Sequence, residues 1–146
     1  MLFRSAGVDR IRLVHDAHPG NPNAPKALAD LTKEYKKLYP KNDINQVRIQ
    51  TTMNMLAAAI KRAGAVNTDK VAAALEGMEW TNSSGDRVVM RREDHQLLMP
   101  IYISVHTNKN ITFDFDNSGF GLLLENKVEM DKATQPTTCK MQRPGA

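Results

Sequence analysis

Apolar residues recur along this chain with two periods, and the change from one to the other falls near Trp80. In GVDRIRLVHD, Ile11 and Leu13 alternate with polar neighbours, the period of a short strand. AHPGNPNAP, with three prolines and a glycine, interrupts the pattern as a loop. Asn23 is placed to cap a helix with Pro25 in its first turn, where a missing N–H costs nothing. Leu28, Leu31, Tyr35 and Leu38 then recur at helical spacing until Pro40, and KNDIN forms a second loop. The longest predicted helix runs from about Asn45 to Ala63. Its face of Ile49, Met53, Leu56 and Ile60 is expected in the core, with Lys61 and Arg62 solvated. The alanines of MLAAAI add little thickness and permit close packing, and Gly64 stands where a left-handed C-cap is wanted. Thr68 caps a third helix, DKVAAALEG, closed by Gly77.

Beyond Trp80 the period shortens. TNSSGD reads as a turn, RVVM as a short strand, and PIYISV as a strand opened by a proline. TNKN is expected to turn that strand back into ITFDF, where Ile111, Phe113 and Phe115 alternate with polar partners, making a β-hairpin. GFGLLLENKVEM offers one more strand, and the tail ATQPTTCKMQRPGA has no periodicity. Helices first and strands later, with one early strand, give an α/β or α+β mixture. A doubly wound domain needs several strand–helix units, and only the first segment supplies one. The chain reads as the second half of a larger fold.

Composition narrows the function classes. At 146 residues, 41% hydrophobic and 25% charged, the chain is of ordinary size for one soluble folded domain. Aromatics make up only 5%, so aliphatic side chains and the eight methionines must fill the core. The net charge of +4 permits nucleic-acid binding, but its distribution argues for none. Lys33, Lys36 and Lys37 share a helix with Glu34, and Arg91 and Arg92 are followed at once by Glu93 and Asp94. No basic stripe is interleaved with aromatics. The one cysteine, Cys139, can make no internal disulfide. MLFRSAGVDRIRLV has no apolar core and no cleavage site of a signal peptide, and no apolar run approaches a membrane span.

The densest cluster of chemistry is MRREDHQLLMPIYISV, where Glu93, Asp94 and His95 stand side by side. Metal ligands sharing a face lie two apart on a strand, or three to four apart on a helix. Consecutive residues point in different directions, and His15, His18 and His106 lie in separate segments. No metal or other cofactor is expected. Cys139 has no local histidine, no nucleophile elbow occurs, and SAGVDR and NSGFG match neither nucleotide fingerprint. The Asn-x-Ser/Thr triplets at Asn82 and Asn110 are near chance frequency. No enzyme can be argued from these residues.

Several stretches, taken in order, resemble the type I, leucine-binding-protein-like substrate-binding proteins of branched-chain amino acid ABC transporters. They are AGVDRIRLVHDAHPGNPN, LAAAIKRAGAVNTDKVAAALEGMEW, GDRVVMRREDHQLLMPIYISV, NSGFG and the closing PTTCKMQRP. The resemblance implies the C-terminal part of a fold with two α/β lobes, joined by crossing strands around a ligand cleft. On that plan residues 1–43 are a second-lobe piece, 44–96 a first-lobe piece, and 97–146 the third crossing with a return to the second lobe. It implies non-catalytic capture of a branched-chain amino acid or related small carboxylate, a permease partner and a periplasmic location. Asn45 and Gln46 stand where many relatives place a cleft-facing aromatic, and are the expected ligand-binding positions. Asp94, His95 and Pro100 become hinge and turn groups rather than ligands. The C-terminal cysteine of this branch would need a partner that the chain lacks. The alternative is an interaction module derived from the same fold that has lost solute binding and folds alone or as a homo-oligomer.

Overall fold

The computed structural model describes residues 7–16, 25–41, 47–111, 114 and 117–143. Its elements are β1 (Arg12–His15), α1 (Lys26–Leu38), α2 (Val47–Ala63), α3 (Thr68–Leu75), β2 (Glu79–Thr81), β3 (Arg87–Met90), β4 (Leu97–Leu98), β5 (Ile101–Thr107), β6 (Gly121–Val128) and α4 (Met130–Ala133). The strands form two three-stranded sheets, in the orders β1-β5-β6 and β2-β3-β4. Every pairing is antiparallel.

Turn and cap chemistry set most boundaries. α1 begins directly after Pro25 and stops before Pro40; the predicted cap Asn23 lies outside the described residues. Gly64 takes φ +65° and donates its N–H to the Ile60 carbonyl at 3.1 Å, closing α2 as expected. α3 is capped one residue earlier than predicted: the Asn67 side chain accepts from the Lys70 N–H at 3.0 Å, and Thr68 is already helical. Gly77 has φ +67°, and a Cβ there would come within 2.8 Å of the Arg92 side chain. The positive φ is what calls for glycine in the turn after α3, since the Arg92 side chain could move aside.

The core corrects the expected face of α2. Thr51, Met55 and Ala59 are buried at i, i+4 and i+8, and of the expected face only Ile60 packs, partly buried, against this core; Ile49 is 64% exposed, Met53 61% and Leu56 39%. Met55 and Ala59 cluster with Val71 and Ala74 of α3, with Met78 and with Val88 of β3. Periodicity weighted by side-chain size picked the stripe of larger residues. The close contact with α3 instead selects the face whose small Ala59 lets the two helices approach. α1 shows the same economy, since Leu28 and Thr32 are buried while Leu31 and Leu38 are exposed.

The predicted hairpin also has a different second strand. β5 is flanked by β1 and β6, with Ile101 opposite Val128 and Thr107 opposite Gly121. Of the expected ITFDF partner, Ile111 is not in a strand, and Thr112, Phe113 and Phe115 lie outside the described residues. β6 carries the longer apolar run, Leu122 to Leu124, and takes the place. The short helix α4, between the last expected strand segment and the aperiodic tail, was not foreseen.

The packing assigns unequal costs to neighbouring substitutions. Met55→Ala should destabilise by about 2–5 kcal/mol, because it opens a cavity between two helices and a sheet. Leu56→Ala, one residue on and partly in solvent, should cost about 1 kcal/mol or less. Urea denaturation of both variants checks the order; equal losses would restore the face predicted by periodicity.

Candidate functional site

The chain passes from one sheet to the other at Met99 and Pro100: β4 ends at Leu98 and β5 begins at Ile101. Proline suits this place, because it ends the first ladder without leaving an unpaired N–H. Beside the crossing lies a cleft of about 440 Å³. The end of β1 supplies Val14, His15 and Asp16; the first turns of α2 supply Arg48 and Thr52; Gln96 to Ile101 and Ala133–Thr134 complete the wall. The amino end of a helix presents partial positive charge and so favours an anion. The first turn of α2 has no acidic residue to cancel that field.

Asp16 is buried and accepts a hydrogen bond from the Arg48 guanidinium, tying the end of β1 to the start of α2. A buried carboxylate without such a partner would be costly, so the pair fixes both walls of the cleft. His15 stands behind it. Its Nδ1 faces the Asp16 carbonyl oxygen and so carries the proton. Nε2 lies within hydrogen-bond distance of the Ser104 hydroxyl, at 2.9 Å. Serine beside histidine suggests a nucleophile and its base, but Ser104 is fully buried and the third group is a backbone carbonyl. This arrangement orients the ring and leaves the hydroxyl out of reach of a solute.

The Glu93–Asp94–His95 run is a turn between β3 and β4. The Arg91 N–H donates to the Gln96 carbonyl and the His95 N–H to the Arg91 carbonyl, both at 2.9 Å. His95 takes φ +55°, uncommon for a side chain of its size. Arg91 grips Asp94 through two N–H donors at 2.8 and 2.5 Å, and also donates to Gln96 Oε1 and the Gln135 carbonyl. This contact holds the Asp94 carboxyl well below its ordinary value. His95 Nε2 lies 3.3 Å from Glu76, which Arg143 contacts at 2.5 Å. Arg143, ahead of the His95 contact, lowers the Glu76 carboxyl. The turn is thus an anchor for the C-terminal tail.

Of the sequence-predicted positions, Pro100 lines the cleft. Asp94 and His95 occupy the anchored turn, and neither is among the cleft-lining residues. Asn45 and Gln46 lie outside the described residues, next in sequence to the start of α2. His15, Asp16, Arg48 and Thr52 were not singled out from sequence. The available signal was an aspartate at a strand end and an arginine in the first turn of the longest helix. Among the described residues no group of three or more His, Cys, Asp or Glu is placed to hold a metal ion. Cys139 is exposed and free.

A profile of the periplasmic binding protein family matches residues 6–109. Among solved structures, the chain is similar to a leucine-, isoleucine-, valine-, threonine- and alanine-binding protein from Brucella ovis in a closed conformation. That match has 20% identity and a TM-score of 0.78, over 96% of this chain and 36% of that one. It also resembles an ABC-transporter solute-binding protein from Rhodopseudomonas palustris BisB5 in complex with 3,4-dihydroxybenzoic acid, at 19% identity and TM-score 0.66, over 88% and 34%. An ABC-type branched-chain amino acid transporter protein from Rhodopseudomonas palustris CGA009 matches at 20% identity and TM-score 0.60, over 90% and 34%. The chain therefore spans about a third of the length of these proteins. Comparison with curated proteins finds no match.

The Arg91–Asp94 contact carries a pH signature. With the folded carboxyl held below its ordinary value of 3.8, the unfolded chain takes up the proton first as acid is added. The stabilisation is complete above that value and is lost as pH falls below it. Asp94→Asn should therefore melt at lower temperature than the parent at about pH 6, with the gap closing below about pH 4. Thermal melts across that range check it; a gap independent of pH would make the contact one of shape rather than charge.

Proposed function

Because the chain belongs to the periplasmic binding protein family, we propose that it is the C-terminal part of the solute-binding component of an ABC importer, non-catalytic and acting outside the cytoplasmic membrane. The solute is a branched-chain amino acid or a related small carboxylate, and the partner that receives it is the transporter permease. The observation that carries this reading is the cleft at the crossing between the sheets, within a chain whose fold matches solute-binding proteins over almost its full length. Among the described residues no helix is long and apolar enough to cross a membrane.

Two features support a two-lobe plan. The β1-β5-β6 sheet draws on residues 12–15, 101–107 and 121–128, while α2, α3 and the β2-β3-β4 sheet come from residues 47–98. Residues 1–43 and 97–146 then belong to one lobe and 44–96 to the other, with Pro100 at the hinge and Asp94 and His95 bracing it. Arg48 gives the cleft a cation at the amino end of α2, suited to a carboxylate. Asn45 and Gln46 precede it and are proposed as further solute contacts. Capture works by closing rigid lobes over the solute, which excludes water and strengthens each polar contact.

The 146-residue chain holds only part of such an enclosure. Titration calorimetry with leucine, isoleucine, valine and a panel of aromatic acids should show binding weaker than about 1 μM, roughly 8 kcal/mol. Whatever binding occurs should require the solute's carboxylate and be lost in the double variant Asp16→Asn, Arg48→Ala, which leaves no unpaired buried carboxylate, with circular dichroism showing that the helices persist. Sub-micromolar binding would show that the site is complete within this chain. Binding that ignores the carboxylate would remove Arg48 from the site.

A further inference from the structure

Residues 135–143, which follow α4, form no helix or strand, and most of them are exposed. Such a segment buries little apolar surface to offset the entropy lost in ordering it. Arginines nevertheless tie it down near both ends. The Arg91 guanidinium donates to the Gln135 carbonyl at 2.7 Å. Arg143 donates to Glu76 Oε1 at 2.5 Å and to the Arg92 carbonyl at 2.6 Å. Glu76 caps the carboxyl end of α3, and Arg91 and Arg92 directly follow β3. The segment itself grows out of the other sheet, leaving β6 through α4. It therefore crosses between the two parts of the chain that meet at the cleft.

The two fastenings differ in strength, and the first one touches the cleft on both sides. Arg91 also donates to Oε1 of Gln96, a cleft-lining residue, at 2.6 Å. Gln135 directly follows Ala133 and Thr134, which line the cleft as well. The Arg91 side chain is only 13% exposed and grips an equally sheltered Asp94, so this end is firm. At the far end the Arg143 side chain is 42% exposed against 16% for Glu76. An ion pair with one well-hydrated member adds little to stability, which leaves that end close to balance between fastened and free.

We infer that residues 135–143 are a releasable strap across the cleft. Fastened by Arg143 to Glu76 and the Arg92 carbonyl, the strap holds the Ala133–Thr134 wall against the wall that carries Gln96. Released, it lets the two walls separate. Its use rests on the cleft being the solute site, because a strap on that wall sets how readily a solute enters and leaves.

The test contains no solute, so a failure of the strap and a failure of solute capture are read separately. The chain has one tryptophan, Trp80 on β2, and one cysteine, the exposed Cys139 within the strap. Energy transfer from Trp80 to a fluorophore attached at Cys139 reads whether the strap lies against the α3 side. Transfer should fall in Glu76→Ala and in Arg143→Ala, with circular dichroism showing that the helices persist. The double variant should fall no further than Arg143→Ala alone, because the two side chains share one contact. Hydrogen exchange followed by mass spectrometry should become about tenfold faster in residues 134–143 and also in the cleft wall at residues 96–101, while α2 keeps its rate. Unchanged transfer in both single variants, or losses that add in the double variant, would overturn the fastening. A freed strap with unchanged exchange at residues 96–101 would overturn its hold on the cleft.

Discussion

Asp86 is a carboxylate only 7% exposed, and its partners come from the other sheet. The Tyr102 hydroxyl on β5 sits 2.8 and 2.7 Å from its two oxygens, and the Lys127 ammonium on β6 is 3.1 Å from one of them. Lys127 also lies over the Tyr102 ring, 5.8 Å from its centre. Burial works against the charged lysine, but hydrogen bonds to Asp86 and Glu129 outweigh it and raise its pKa. Removing one member of such a buried cluster costs about 3–5 kcal/mol, because the remaining charge stays out of water without a partner. The cluster ties the turn before β3 to β5 and β6 and so helps fix how the two sheets sit.

The carboxylate is itself held in place by the turn that carries it. Asn82 Oδ1 accepts from the Ser84 and Asp86 N–H groups, both at 2.9 Å, and the Gly85 N–H donates to the Asn82 carbonyl. The Asn82–Asp86 stretch therefore presents its acid rigidly, while Arg87 on the strand beyond pairs with Glu79 across the ladder. In the sequence this stretch reads only as a polar turn. Its acid becomes important through Tyr102 and Lys127, which are 16 and 41 residues away.

That distance explains what could be read from the sequence. Elements with local causes were legible: helix ends at Pro40 and Gly64, the turn before Arg87, and the strand opened by Pro100. Choices made by tertiary partners were not. Whether Met53 or Met55 faces inward depends on α3, and the β6 register on β5 is set by residues some 14 to 27 positions along the chain. The cleft was the least legible, because Asp16 and Arg48 are 32 residues apart and neither belongs to a local motif. Family resemblance indicated a cleft near the start of α2 without identifying these two residues.

The same contacts bear on the lobe closure proposed for solute capture. Asp86, Pro100 and Lys127 line a common pocket, so the Asp86 cluster lies close to the crossing about which the lobes would turn. Groups near an axis move little during rotation, so a costly buried cluster can persist through the motion. Asp16 and Arg48 span the neighbouring cleft, which Pro100 also lines. Arg48 is largely solvent-exposed, so losing its contact is partly repaid by water. The tail linkage of Arg143 to Glu76 and the Arg92 carbonyl is also exposed and on the arginine side readily rehydrated. Both buried carboxylates, Asp86 and Asp16, therefore resist separation from their cations, and only the arginine side of the Asp16 pair is readily rehydrated.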